Sequence, residues 1–210
     1  MDKKKLADAL KKALEEKGKK KFKQSVELII NVRSVDFSKS ENRLNLDILL
    51  PKGKGGKELK SAIFADGQMA DEAKKAGADL VIMPNDISGW AVAAKIKDLS
   101  SNYFLLAQPN LMAPVAKSLG QYLGKKGKLP KPVTGGIADI IKRSKSSVRI
   151  VSKGKYLPVA QALIGTEIMS VDELAENADA VYEAVKNKVK EGNIKSVYVK
   201  LTMGKPARVM

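Results

Sequence analysis

The residues best suited to chemistry begin with a run of lysines. Lys17, Lys19, Lys20, Lys21 and Lys23 surround Phe22. Lysines neutralise phosphates, and an aromatic ring among them can stack on a base or ribose, so the segment suits RNA. It suits equally a solvated helix end followed by a core phenylalanine. Glu27 comes shortly after. A carboxylate is repelled by phosphate but can accept hydrogen bonds from a 2′-hydroxyl or a guanine edge; the plainer reading is a surface glutamate on a strand. A second basic stretch, Gly124–Pro132, holds four lysines and two glycines. Glycine lets backbone approach a phosphate and proline holds a loop's shape, although a solvated loop has the same composition.

Other chemistries fail at the residue level. Lys52–Lys57 suggests a phosphate-binding loop, but Glu58 follows Lys57 where that motif needs Ser or Thr. Asp66 and Gly67 stand where a dinucleotide fingerprint would begin, yet no G-x-G-x-x-G is present. A nucleotide-dependent enzyme built on this segment is therefore the alternative reading, not the leading one. The chain has no cysteine and no histidine. That removes thiolate nucleophiles, disulfides, thiolate zinc sites, the commonest metal ligand and the commonest general base. The acid pairs Glu15–Glu16, Asp71–Glu72 and Asp172–Glu173 fall on polar helix stretches or at helix starts, where acids complement the dipole. Trp90 and the methionines suit core filling. No catalytic residue, metal or cofactor is expected, and the chain is not read as an enzyme.

The 210 residues are 44% hydrophobic, enough for a packed core, and carry 39 Lys/Arg against 23 Asp/Glu, a net charge of +16. Such a field attracts phosphate-rich partners. Residues 1–57 hold 16 basic and 8 acidic residues and residues 147–210 hold 10 and 7, together +11. Residues 58–146 hold 13 and 8, or +5. The two end segments therefore form the better polyanion site. No apolar run reaches the roughly 18–20 residues of a membrane span. An amphipathic pattern, not an apolar leader, follows Met1, so a soluble cytoplasmic protein is expected.

The elements that must position these residues change grammar twice. Leu6, Leu10 and Leu14, with Ala9 and Ala13, predict a helix over 3–17 ending at Gly18. Alternation of Val26, Leu28, Ile30 and Val32, and of Leu44, Leu46, Ile48 and Leu50, predicts two strands paired antiparallel across a longer loop. Pro51–Lys57, with three glycines, reads as a flexible connection. Strands at 61–65, 79–83 and 103–107 then alternate with helices near 68–75, 90–99 and 111–123, and a short helix follows at 137–142. That is the signature of a parallel sheet covered by helices. After a polar link at 143–147, strands are predicted at 148–151 and 159–164. A helix over 171–190, capped by Ser170 with Glu173, and a strand at 197–201 complete the chain. The simplest organisation is a discontinuous domain, 1–57 with 147–210, into which 58–146 is inserted. Hinge bending is expected at Gly53, Gly55 and Gly56 and at Ser144 and Ser146.

Four stretches together resemble the ribosomal protein L-one family: FKQSVEL at Phe22–Leu28, AQPNLM at Ala107–Met112, LGQYLGKKGKLPKP at Leu119–Pro132 and SVYVKLTMG at Ser196–Gly204. The wording of the first two, with ENRL at Glu41–Leu44, is similar to the archaeal branch. The resemblance implies a split α+β domain with an antiparallel sheet and helices, plus an inserted three-layer Rossmann-like α/β domain. It implies a cytoplasmic, ribosome-bound protein of the large subunit that binds the stalk segment of large-subunit rRNA. It further implies a part in releasing deacylated tRNA from the exit site, repression of translation through binding to its own mRNA, and a monomer when free, without membrane contact. The family's RNA site maps here onto Lys21, Phe22, Ser25, Glu27, Ser196, Thr202, Met203 and Gly204. Lys200, Lys205 and Arg208 add charge by proximity, and Lys125, Lys126 and Lys128 form a secondary contact. At that secondary contact the family's Gly-Pro-Arg-Gly-Lys-Met-Pro becomes Gly-Lys-Lys-Gly-Lys-Leu-Pro, exchanging the planar fork of arginine for lysine.

Overall fold

The computed structural model describes residues 2–56, 60–152 and 157–210. The chain divides into two compact units: Met1–Lys57 with Ser146–Met210, and Glu58–Lys145. Lys57, the last residue of the glycine-rich segment, lies outside the described residues.

The first unit opens with helix α1 (Lys3–Leu14), whose Leu6, Ala9, Leu10 and Ala13 are buried and whose N-terminus is capped by Asp2. Strand β1 (Ser25–Val32) follows, and Val26, Leu28, Ile30 and Val32 all point into the core. Next comes strand β2 (Asn45–Leu49).

In the second unit β3 (Lys60–Phe64), α2 (Gly67–Lys75), β4 (Leu80–Ile82), α3 (Ala93–Asn102), β5 (Tyr103–Ala107), α4 (Met112–Lys125), β6 (Lys131–Pro132) and α5 (Ile137–Ser146) form a parallel sheet ordered β4-β3-β5-β6. Its two faces have separate cores. One combines Phe64 and Leu105 with Ile96 and Leu99 of α3 and Val115 and Leu119 of α4. The other combines Ile63 and Leu106 with Ala70 and Ala73 of α2 and Ile137 and Ile141 of α5. This is the three-layer arrangement that near-continuous apolar strands require. Trp90 packs against the first of these cores.

The chain then returns to the first unit with β7 (Ser147–Val151), β8 (Val159–Thr166), α6 (Val171–Val189), β9 (Ile194–Leu201) and β10 (Ala207–Arg208). The main sheet is antiparallel, in the order β10-β9-β1-β8. Helices α1 and α6 cover one face, sharing a core with the inward residues of all three long strands. Ser170 and Glu173 form a reciprocal capping box at the start of α6. Among the described residues, no helix is long and apolar enough to cross a membrane.

Three expectations need correction. Strands β1 and β2 do not pair: β1 lies between β8 and β9, while β2 joins β7 in a separate two-stranded sheet. The alternation in β1 shows which face is buried, but two-sided pairing depends on partners more than 120 residues away. The polar link at 143–147 is not a loop. Helix α5 runs through Ser144 and Ser146 and β7 begins at Ser147. Ser144 is buried, and its hydroxyl donates to the Ile141 carbonyl at 2.8 Å. Its polarity is thus satisfied inside the helix it was expected to end.

Nor is the described part of the glycine-rich segment loose. The fully buried Asn177 of α6 accepts from Lys52 N–H at 3.0 Å and donates to the carbonyls of Gly53 and Ile164, each at 2.8 Å. The Thr166 hydroxyl donates to the Gly55 carbonyl at 2.7 Å. Gly53 and Gly55 have φ of +68° and +65°, so glycine is needed there for left-handed backbone. At Gly56 a Cβ would meet Thr166 Cγ2 at 3.0 Å, so its small size serves close packing.

Candidate nucleic-acid interface

Two segments far apart in sequence meet at one end of the antiparallel sheet. Ser25, the first residue of β1, donates its N–H to Thr202 Oγ1 at 3.1 Å. The Thr202 N–H donates to the Ser25 carbonyl at 3.0 Å, and the Thr202 hydroxyl reaches the same carbonyl at 3.3 Å. One residue earlier, Gln24 accepts the Met203 N–H at 3.1 Å through its side-chain oxygen. The same side chain donates to Glu167 Oε2 at 3.4 Å, and the Gln24 carbonyl accepts the Glu167 N–H at 3.0 Å. Gln24 and Glu167 are both buried, at 1% and 5% exposure. The ends of β1, β8 and β9 are therefore fastened by a polar cluster under the surface.

What that cluster presents outward is apolar and basic. Phe22 is 51% exposed and Met203 62% exposed. Large apolar side chains left in water on a small unit mark a contact surface when basic groups surround them. Lys21, Lys23 and Lys205 are exposed beside them. Gly204 closes the turn, its N–H donating to the Leu201 carbonyl at 2.9 Å. A Cβ at that position would meet Leu201 Cβ at 3.0 Å. Glycine is thus required by close approach, and it leaves backbone open to a ligand.

The open face of the sheet continues this surface. Ser25, Glu27, Ile29 and Asn31 are the half-buried residues of β1, opposite its core-facing set. Register places Glu27 beside Lys200 of β9 and Leu163 of β8. A bulge in the β1–β8 pairing falls between Val26 and Glu27, where the partner strand carries Gly165. A Cβ on Gly165 would approach Leu174 Cδ2 to 2.5 Å, so the bulge depends on glycine. Arg208 of β10 is exposed and opposite Tyr198 in register. Arg208 also lines a groove with Lys5, Asp8 and Lys12 of α1.

Ser196 stands apart from the other matched residues. It is 6% exposed, its hydroxyl accepts from Asn31 Nδ2 at 2.9 Å, and it pairs in register with Asn31. Four strand residues separate this pair from Glu27–Lys200, about 13 Å at the usual rise. Its hydroxyl is engaged by the Asn31 side chain at the far end of the face.

The secondary lysines are ordered by a helix terminus. Gly127 N–H donates to the Gly124 carbonyl and Lys128 N–H to the Leu123 carbonyl, both at 2.9 Å, with Gly127 at φ +63°. This is the doubly bonded glycine stop of α4. Lys125 and Lys126 then stand at the negative end of the helix dipole. Lys126 is already engaged, its ammonium donating to Ser100 Oγ at 2.7 Å.

At the first strand–helix turn of the parallel sheet, Asp66 Oδ1 accepts the Gly67 N–H at 2.8 Å, and Gln108 Oε1 accepts the Asp66 N–H at 3.0 Å. Donors that a nucleotide phosphate would use are held by protein oxygens, one of them a carboxylate that repels it.

Gln24 and Glu167 were not anticipated as part of the site. In sequence, Gln24 is one polar residue after a lysine run and Glu167 one carboxylate after a strand. The Gln-Ser pair before an alternating strand was the available hint.

A model of the ribosomal protein L1p/L10e family matches residues 10–205. A protein called large ribosomal subunit protein uL1 from Methanocella arvoryzae is 40% identical over the whole of both chains. The protein of the same name from Thermofilum pendens is 43% identical over 97% of this chain and 92% of its own. That from Thermococcus kodakarensis is 40% identical over 99% and 98%.

Proposed function

Because this chain belongs to the ribosomal protein L1p/L10e family, we propose that the surface formed by Lys21, Phe22, Ser25, Glu27, Lys200 and Thr202–Lys205 grips the folded stalk segment of large-subunit rRNA. The chain is a large-ribosomal-subunit protein with a structural role. The observation that carries the finer reading is the bonding of Gln24 and Ser25 to Met203 and Thr202, which fuses two segments into one basic, partly apolar surface. Lysines meet phosphates, Phe22 and Met203 meet bases or riboses, and Gly204 admits close backbone approach. Arg208 extends the charge along β10.

On this reading the protein takes part in releasing deacylated tRNA from the exit site. When free, as a monomer, it represses its own synthesis by binding a site in its mRNA that mimics the ribosomal one. Hydrogen bonds from Asn177 to Lys52 and Gly53, and from Thr166 to Gly55, restrain the main chain around the proposed hinge glycines Gly53, Gly55 and Gly56. The alternative, a nucleotide-dependent enzyme at Asp66–Gly67, is disfavoured by the occupied donors there.

The test is titration of a stalk rRNA fragment and a scrambled RNA of equal length across a salt series. The stalk fragment binds far more tightly, and its log affinity falls linearly with log salt as counterions are released. Equal binding of the two RNAs would overturn the proposal. Crosslinking in lysate, followed by sequencing of the bound RNA, tests the mRNA and tRNA roles.

A further inference from the structure

Glu16 is a carboxylate with no evident work inside the protein. Beyond α1 the chain turns, with Lys17 N–H donating to the Leu14 carbonyl at 2.9 Å and Lys19 N–H to the Glu16 carbonyl at 3.4 Å. Gly18 completes the turn at φ +74°. This brings the half-buried Glu16 side chain against the Thr202–Gly204 turn: a methyl built on Gly204 would lie 2.9 Å from Glu16 Oε2. Five lysines occur within the next seven residues. Even so, among the described residues the Glu16 carboxylate takes part in no hydrogen bond or ion pair.

An unpaired negative charge beside a phosphate-gripping surface weakens every contact that is only electrostatic. RNA brings something else to such a group, the 2′-hydroxyl, which donates to a carboxylate; DNA has none. A hydrogen bond to a charged acceptor is roughly twice as strong as a neutral one.

We propose that Glu16 is a specificity-determining residue of the RNA surface: it accepts the 2′-hydroxyl of the nucleotide lying over Gly204 and repels polyanions that place a phosphate there. This rests on the RNA-binding reading above. The repulsion also gives the surface a means of discriminating against DNA and against unstructured RNA, which lysines alone lack.

Glu16→Gln keeps the shape and removes the charge. Glu15→Gln removes the same charge one residue away, from an exposed side chain at the end of α1. Each variant and the wild type are titrated at one salt concentration with the stalk rRNA fragment, a scrambled RNA and the DNA of the same sequence. The expected result for Glu16→Gln is several-fold weaker binding to the stalk fragment and several-fold tighter binding to the other two, a roughly tenfold loss of discrimination. Glu15→Gln shifts all three slightly and together. Identical behaviour of the two variants, or a uniform shift by Glu16→Gln, overturns the role of Glu16 while leaving the RNA reading intact. A wild type that fails to prefer the stalk fragment overturns both.

Discussion

The side-chain oxygen of Gln24 accepts the backbone N–H of Met203, 179 residues further along, at 3.1 Å. The other end of the same amide faces the buried Glu167 carboxylate. Gln24→Leu fills the space but leaves an N–H and a carboxylate without these partners. A buried group so abandoned costs about 1–3 kcal/mol. The variant should lower the urea midpoint accordingly and lose preference for the stalk fragment, because the Met203 turn is released. An unchanged midpoint would mean that the amide is not the fastening.

Thr202→Val separates shape from hydrogen bonding. Valine matches threonine in outline, but the Ser25 N–H loses its acceptor at 3.1 Å. A loss of about 1 kcal/mol in stability is expected. Binding should weaken more for the stalk fragment than for scrambled RNA, read by parallel titration. Equal losses on the two RNAs would argue against specific readout through this turn.

Asn177→Ala addresses the segment Lys52–Gly56. Three hydrogen bonds to main chain disappear at a fully buried site. At about 1 kcal/mol each, the destabilisation is roughly 3 kcal/mol, seen in chemical unfolding. Affinity for RNA in the folded protein should change little, since the hydrogen bonds of Asn177 go to Lys52, Gly53 and Ile164 and not to Gln24, Ser25 or the Thr202–Gly204 turn. A midpoint unaltered by the substitution would show that the glycine-rich segment is held by other contacts.

Asp79 gives a dependence on pH. The Ser61 backbone N–H at 2.8 Å, and the Ser61 hydroxyl at 2.9 Å, hold its carboxyl below the ordinary value of 3.8. A carboxyl depressed in the folded state contributes stability above its unfolded value, and the contribution is lost as pH falls through the folded value. Wild type and Asp79→Asn should therefore differ in thermal midpoint at pH 7, and the gap should shrink as pH falls below the ordinary carboxyl value and close below the depressed folded one. A gap that persists unchanged in acid would assign the effect to packing.

Local order was well written in the residues. The Ser170–Glu173 box marked the start of α6, and apolar runs such as Tyr103–Ala107 marked the parallel sheet because they are buried on both faces. Pairing was less legible. The period-two pattern of Val26 to Val32 identifies an inward face, but does not say that Leu163 and Lys200 flank Glu27 while β2 is elsewhere. For the proposed site, Phe22 was marked by the lysines around it and Thr202–Gly204 by motif resemblance. Gln24, Glu167 and Glu16 escaped because only tertiary placement brings them against the Thr202–Gly204 turn or its supports; as letters they resemble ordinary surface residues. Ser144 misled for the same reason, its hydroxyl being satisfied within α5.

The position of β1 between β8 and β9 also sets a clock on synthesis. When the first 57 residues leave the translating ribosome, β1 has neither neighbour, and its second arrives only with residues 194–201. On the RNA-binding proposal, a nascent chain that has not yet reached residues 194–204 lacks both β9 and the Thr202–Gly204 turn, and so lacks half of the proposed surface.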